Sequence, residues 1–180
     1  MTASYHDIKG KSVLVTGGAS GIGASIVRAF CAQGARVGFF DIDDAAAEKL
    51  CAEIENDLGV RPHYMSLDLR DQVRIPKAVT EMASKIGVID VLVNNAARDD
   101  RHSPEETGPD EWREKLDVNL SHQFFCSRAV AKGMAEKGRG SIINFSSVSY
   151  LMGLPDLVGY ETAKAGVVGM TRALARDWGA

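Results

Sequence analysis

Cysteine is scarce and never paired. Cys31, Cys51 and Cys126 stand far apart, and no CxxC occurs. A disulfide framework, a thiol redox motif and a thiolate zinc cluster are therefore not expected. Small buried hydrophobes in a reducing cytoplasm are. The four histidines (His6, His63, His102, His122) show no metal-ligand spacing either, so no metal is expected. No apolar run approaches the length of a membrane span. The start, MTASYHDIKGK, has no apolar segment of a secretory signal, so the reading is cytoplasmic. Positive charge is not clustered, and the net charge is −3, which argues against nucleic acid or an anionic membrane as a partner.

What is present is ordinary globular material: 180 residues, 45% hydrophobic and 25% charged, enough for one sizeable domain over 1–180. Strand-like and helix-like segments alternate. SVLVT (12–16), RVGFF (36–40), HYMSL (63–67), VIDVLV (88–93) and SIINF (141–145) are apolar, largely β-branched runs that predict five strands. Helical spacing follows each. Ile22, Ile26, Val27 and Phe30 make one face before Gly34. Leu50, Ile54 and Leu58 make another after a cap at Asp43 or Asp44. A third helix is expected over about 71–86, with an irregular start at Pro76. A polar loop covers 98–110, one long helix about 111–137, and a last helix about 160–178. Such alternation predicts an α/β fold: a three-layer, doubly wound parallel sheet joined by right-handed crossovers.

GGASGIG (17–23) lies between the first strand and the first helix. There a glycine loop admits a phosphate to the backbone, and the helix N-terminus supplies free N–H groups. A nucleotide-triphosphate loop would need a lysine where Ala24 stands, so phosphoryl transfer is not expected. The spacing is GxxxGxG through Gly17, Gly21 and Gly23, and a bound dinucleotide is the expectation. Asp41 ends the second strand, where a carboxylate can accept both ribose hydroxyls and repel a 2′-phosphate. NAD is thereby favoured over NADP. Asp68 ends the third strand similarly and could face the adenine edge. As a plain alternative, either aspartate could serve as a turn or cap residue.

Tyr160 and Lys164 stand at i and i+4, on one helix face. A phenol accepts a proton poorly at neutral pH unless a cation supports its phenolate, so the pair suits proton exchange with an alcohol or carbonyl. On spacing alone, a solvated face explains the pair as well. The preceding FSSVS places Ser146, Ser147 and Ser149 at the end of the fifth strand, where open α/β sheets hold ligands.

From about Lys9 to its last residue the chain resembles the classical short-chain dehydrogenase/reductase family. TGGASGIG (16–23) is similar to its cofactor loop. NNAA (94–97) is similar to its NNAG, with Ala97 in place of glycine. VNL (118–120) holds its helix asparagine at Asn119, FSSVS its serine at Ser147, and YETAK its YxxxK. The resemblance implies hydride transfer with Tyr160 as general acid/base and Lys164 supporting it and the nicotinamide ribose. Ser147 would bind the reacting oxygen, and Asn119 would keep a relay water. Ser20, Ile22, Leu69 and Asn95 would join the glycines, Asp41 and Asp68 around the cofactor. RDDRH (98–102), LSHQFFC (120–126) and YLMGLPDLVGYETAKAG (150–166) resemble pentose, aldose and deoxy-keto sugar acid dehydrogenases. Arg98, Arg101, His102, Ser147, Ser149 and Asp156 are then candidates to contact a sugar, with an arginine suited to a sugar acid's carboxylate. Ketoacyl or other carbonyl reductases of the family, and a non-catalytic NAD-binding module, are the alternatives. Family members add a sixth and a seventh strand and commonly form homotetramers. Strands one to five are expected here, with an unpaired edge, poor solubility and little activity for a chain of this length.

Overall fold

The computed structural model describes residues 4–179. Five strands, β1 (Ser12–Thr16), β2 (Arg36–Asp41), β3 (His63–Ser66), β4 (Val91–Asn94) and β5 (Ser141–Asn144), form one parallel sheet in the order β3-β2-β1-β4-β5. Alternation along the strands sorts side chains to the two faces. Leu14, Phe40 and Leu92 pack with Val79, Met82 and Ile86 of α3 (Ile75–Ile86) and with Cys126, Val130 and Met134 of α5 (His122–Glu136). Val13, Val15, Val37, Phe39 and Val93 pack on the other face. They meet Val27 and Cys31 of α1 (Gly21–Ala32) and Leu50, Cys51 and Ile54 of α2 (Asp44–Leu58). The three cysteines are free and buried, as expected. Among the described residues no helix is long and apolar enough to cross a membrane, and no cluster suits a metal.

Three elements differ from the sequence expectation. The third helix begins at Ile75, not Asp71. Pro76 falls in its first turn, where a missing N–H costs nothing, and the chain before it forms turns. The fourth strand is Val91–Asn94; Asp90 just before it lies opposite Ser12, its N–H donating to Ser12 O (2.8 Å) and its carboxylate accepting Ser12 N–H (2.9 Å). The long helix is three pieces: α4 (Pro109–Leu116), a π-helical turn (Asp117–Ser121) and α5. A short α6 (Ser149–Met152) precedes α7 (Val158–Trp178).

The strand order reverses direction at β1, with β2 on one side and β4 on the other. Strands one to three step outward and strands four and five fill the opposite half. In open α/β sheets a ligand sits at such a switch point, outside the carboxyl ends of the strands. The glycine loop, Asp41, Asn95 and the serines from Ser146 follow or end β1, β2, β4 and β5 at that edge.

Candidate active site at the carboxyl edge of the sheet

The glycine loop joins β1 to α1. Gly17 and Gly21 have φ of 66° and 54°. Ser20 occupies the N-cap of α1 but makes no side-chain cap bond, so the first-turn amides have no side chain on them. Such a helix end suits an anionic pyrophosphate. Ile22, on that first turn, is 64% exposed. Asn95 fastens the loop from behind: its Nδ2 donates to Thr16 O (3.1 Å) and Gly17 O (3.0 Å). Thr16 Oγ1 accepts the Asn95 and Ala96 N–H groups at 3.0 and 3.1 Å. Sequence reading missed Thr16, which its place in the apolar strand concealed.

Asp41 Oδ2 accepts the Ala19 N–H at 2.8 Å, and Oδ1 accepts those of Ile42 and Asp43. The carboxylate thus stands against the glycine loop. The cap of α2 is Asp43, through Ala46 N–H at 2.9 Å, so Asp41 is not the helix cap. Asp68 is held by Arg70, whose guanidinium keeps its carboxyl below the ordinary range despite partial burial. Leu69 beside it is buried.

Lys164 is 1% exposed. Its ammonium donates to Phe145 O at 2.8 Å and lies 5.6 Å from the Tyr160 ring centroid. Burial pushes it down to about 8. Ser146 Oγ donates to Lys164 O (2.7 Å), tying the end of β5 to α7. Ser147 Oγ accepts the Ser149 N–H at 3.1 Å, which aims it from the same strand end. Ser149 itself is buried. Asn119 sits in the π-helical turn. Its carboxamide accepts Arg98 N–H (2.8 Å) and donates to Arg98 O and Lys115 O (3.0 Å each). Its main-chain oxygen accepts Gln123 Nε2 at 3.2 Å.

The polar loop is spoken for internally. Arg98 pairs with Asp100 (2.7 Å) and Glu114 (3.0 Å), Glu114 with Arg70 (2.6 Å), and Asp100 with Lys115. Arg101 Nη1 donates to Pro155 O. The His102 N–H donates to Asp156 O (2.9 Å), and Asp156 takes a φ of 62°. The structure therefore lays Arg101 and His102 against Pro155 and Asp156, with the Arg98, Arg101 and His102 side chains all bonded within the protein. Lys115, 1% exposed, was missed. The signal for it was its position four residues before Asn119, on the same helical face.

His122 is wholly buried, one helical turn after Asn119, and burial and the Lys164 charge push it down to about 3. It is neutral throughout the neutral range. Its folded value lies below the ordinary 6.5, so the unfolded chain binds the extra proton and stability is lost as pH falls from about 6.5 toward 3. His122→Phe should lose about 2 kcal/mol less than the parent between pH 6.5 and 4.5, at ~1.4 kcal/mol per pH unit. Urea unfolding at the two pH values checks this, and identical losses would refute it.

The comparisons agree with this geometry. A short chain dehydrogenase family model matches residues 11–180. D-xylose 1-dehydrogenase of Caulobacter vibrioides is 48% identical over 178 residues, 99% of this chain and 70% of its own length. The protein named Probable galactose dehydrogenase GalD, from Rhizobium meliloti, is 46% identical over the same spans. A solved structure from Sinorhizobium meliloti 1021, described as a short-chain alcohol dehydrogenase, superposes with a TM-score of 0.89 at 33% identity. It covers 95% of this chain and 68% of the other. A match over nearly the whole sequence settles the assignment: the chain belongs to the short-chain dehydrogenase family, as an oxidoreductase acting on CH–OH groups.

Proposed function

We propose that this site takes NAD and removes hydride from a CH–OH carbon of a sugar, the anomeric carbon of an aldose being the leading case. The carrying observation is the convergence of Tyr160, buried Lys164 and Ser147 on one edge of the sheet that also presents the glycine loop and Asp41. The likeness to relatives named for xylose and galactose supports the sugar. Gly17, Ser20, Gly21, Ile22 and Gly23 would hold the pyrophosphate, Asp41 the adenosine ribose, and Asp68, Leu69 and Asn95 the neighbouring wall. The nicotinamide supplies the hydride acceptor. Ser147 donates to the reacting oxygen, and Tyr160 takes the hydroxyl proton as the C–H bond breaks. Lys164 would stabilise the phenolate and would hold the nicotinamide ribose. The Asn119 carboxamide fastens the Arg98 and Lys115 backbones with both of its N–H groups and its oxygen. Ion pairing inside the loop leaves Arg98 little freedom to bind a substrate carboxylate, which favours a neutral sugar over a sugar acid.

Purified protein given NAD and a panel of aldoses should form NADH with at least one sugar, slowly for a chain of five strands with an unpaired edge. Tight NAD binding with no turnover on any sugar would return the chain to the class of binding modules. NADP should serve at least about a hundredfold worse than NAD, a difference of ~2.7 kcal/mol. Asp41→Asn keeps an oxygen for the Ala19 N–H and removes the charge that repels a 2′-phosphate. The variant should narrow the ratio by tenfold or so. An unchanged ratio would rule out Asp41 as the discriminating group.

A further inference from the structure

α7 begins without a cap of its own. Leu157, at its N-cap, has no side-chain acceptor to offer, and the first amides of a helix have no partner within it. The Gly159 N–H nevertheless finds one 57 residues away: it donates to His102 Nε2 at 3.2 Å. Accepting at Nε2 places the ring proton on Nδ1, 3.3 Å from Asp100 O. His102 is 8% exposed and bridges two backbones. Lys115 closes the same corner. Its ammonium bonds both the carbonyl and the carboxylate of Asp100, and its stem presses on Gly159. A Cβ at Gly159 would stand 2.9 Å from Lys115 Cβ and 3.3 Å from His102 Nε2. Gly159 is the residue immediately before Tyr160.

We infer that His102 is a positioning residue for Tyr160: with Lys115 and Asp100 it caps the catalytic helix from the substrate loop and sets phenol and loop together. This inference rests on the proposed function for its kinetic consequence. It assigns His102 to the helix start and away from direct contact with the sugar. The ring's two nitrogens are both used on backbone atoms, which leaves neither for a sugar hydroxyl. Loosening the cap displaces the phenol relative to the bound carbon, so the loss falls on kcat more than on NAD affinity. Asp41 and the glycine loop lie at other strand ends and are untouched.

The test compares His102→Leu with His102→Gln, since a glutamine side-chain oxygen can reach where Nε2 sits. Two quantities are read: hydrogen exchange of the Gly159 amide by NMR, and kcat, KM and NAD affinity with the best aldose. In His102→Leu the Gly159 amide should exchange about tenfold faster or more, as a lost hydrogen bond of ordinary strength allows. kcat should fall by ten- to a hundredfold or so, the scale of a displaced catalytic group, with NAD affinity unchanged. His102→Gln should restore both within about threefold. A Gly159 amide that exchanges at the parent rate in His102→Leu overturns the cap. So does an equal kcat loss in both variants accompanied by lost NAD affinity, which would mark general unfolding. A parent protein that binds NAD but oxidises no sugar defeats the proposed function instead, and the exchange rates alone then decide the cap.

Discussion

Lys164→Met is expected to lower kcat by about a thousandfold or more while leaving the fold as stable as before, or more so. The activity loss follows from the proposed role. Without the ammonium, the phenolate of Tyr160 loses its electrostatic support, and positioned acid–base groups contribute ~10²–10⁴. The stability result follows from burial. Lys164 is almost wholly inside, and its value is pushed down to about 8 from 10.5. Below about pH 8 both folded and unfolded chains carry the charge, and the folded one bears a cost of roughly 3 kcal/mol. Removing the charge removes that cost and forfeits the hydrogen bond to Phe145 O, worth about 1.5–3 kcal/mol for a charged donor. Phe145 O retains Gln123 Nε2 at 3.4 Å, so it is not stranded. Between pH 8 and 10.5 the unfolded chain binds the extra proton, so the parent gains stability as pH rises. Lys164→Met should lack that rise. Urea unfolding at pH 7 and pH 10 reads both effects. A variant several kcal/mol less stable at pH 7 would mean that the lysine holds the fold rather than the chemistry.

The same contrast between local and distant causes decides what the sequence disclosed. The glycine turn before α1, the place of Asp41 at the end of β2 and the shared helix face of Tyr160 and Lys164 match the sequence reading, because each depends on spacing of a few residues at a strand end or along one helix. So do the five strands, whose alternation matches the two core faces. The π-helical turn does not. Its residues DVNLS carry no breaker, and the extra residue is accommodated by contacts to α7 and the loop at Arg98. The start of β4 was misplaced because VIDVLV looks uniformly strand-like. Asp90 lies opposite Ser12, 78 residues earlier, and spends its carboxylate on the Ser12 N–H and on Lys137, partners that no local pattern shows. The choice between Asp43 and Asp44 as helix cap was open on sequence and falls to Asp43. His102 and Lys115 were the least legible. A histidine in a charged loop and a lysine on an amphipathic helix look solvated until the loop folds onto α7. The chain of ion pairs from Asp68 through Arg70, Glu114, Arg98 and Asp100 to Lys115 is invisible for the same reason. Most of its members are partly exposed and each pair contributes little alone.

The glycines allow that distinction to be tested with one atom. Gly23→Ala is expected to abolish NAD binding, by about a hundredfold or more, and to cost several kcal/mol of stability, because an added Cβ there has nowhere to go. It would overlap the Gly17 carbonyl oxygen and stand 2.7 Å from Asn95 Nδ2, the group that fastens the loop. Both obstacles are held, one by backbone and one by a short amide with two bonds, so neither can yield cheaply. Overpacking a rigid site typically costs ~1–3 kcal/mol, and here the displaced atoms also belong to the proposed phosphate cradle. Gly21 fails for a different reason. No atom lies within 4 Å of its Cβ position, but its φ of 54° strains an alanine by about 1–2 kcal/mol. Gly169 in α7 has neither problem: open space and an ordinary φ. Gly169→Ala should stabilise the helix by roughly 0.5–1 kcal/mol. Thermal unfolding and NAD titration of the three variants should thus give three different answers: binding lost with stability, moderate strain, and a gain. If Gly23→Ala binds NAD like the parent, the close approach of α1 to the Gly17 carbonyl is not what shapes the cofactor loop.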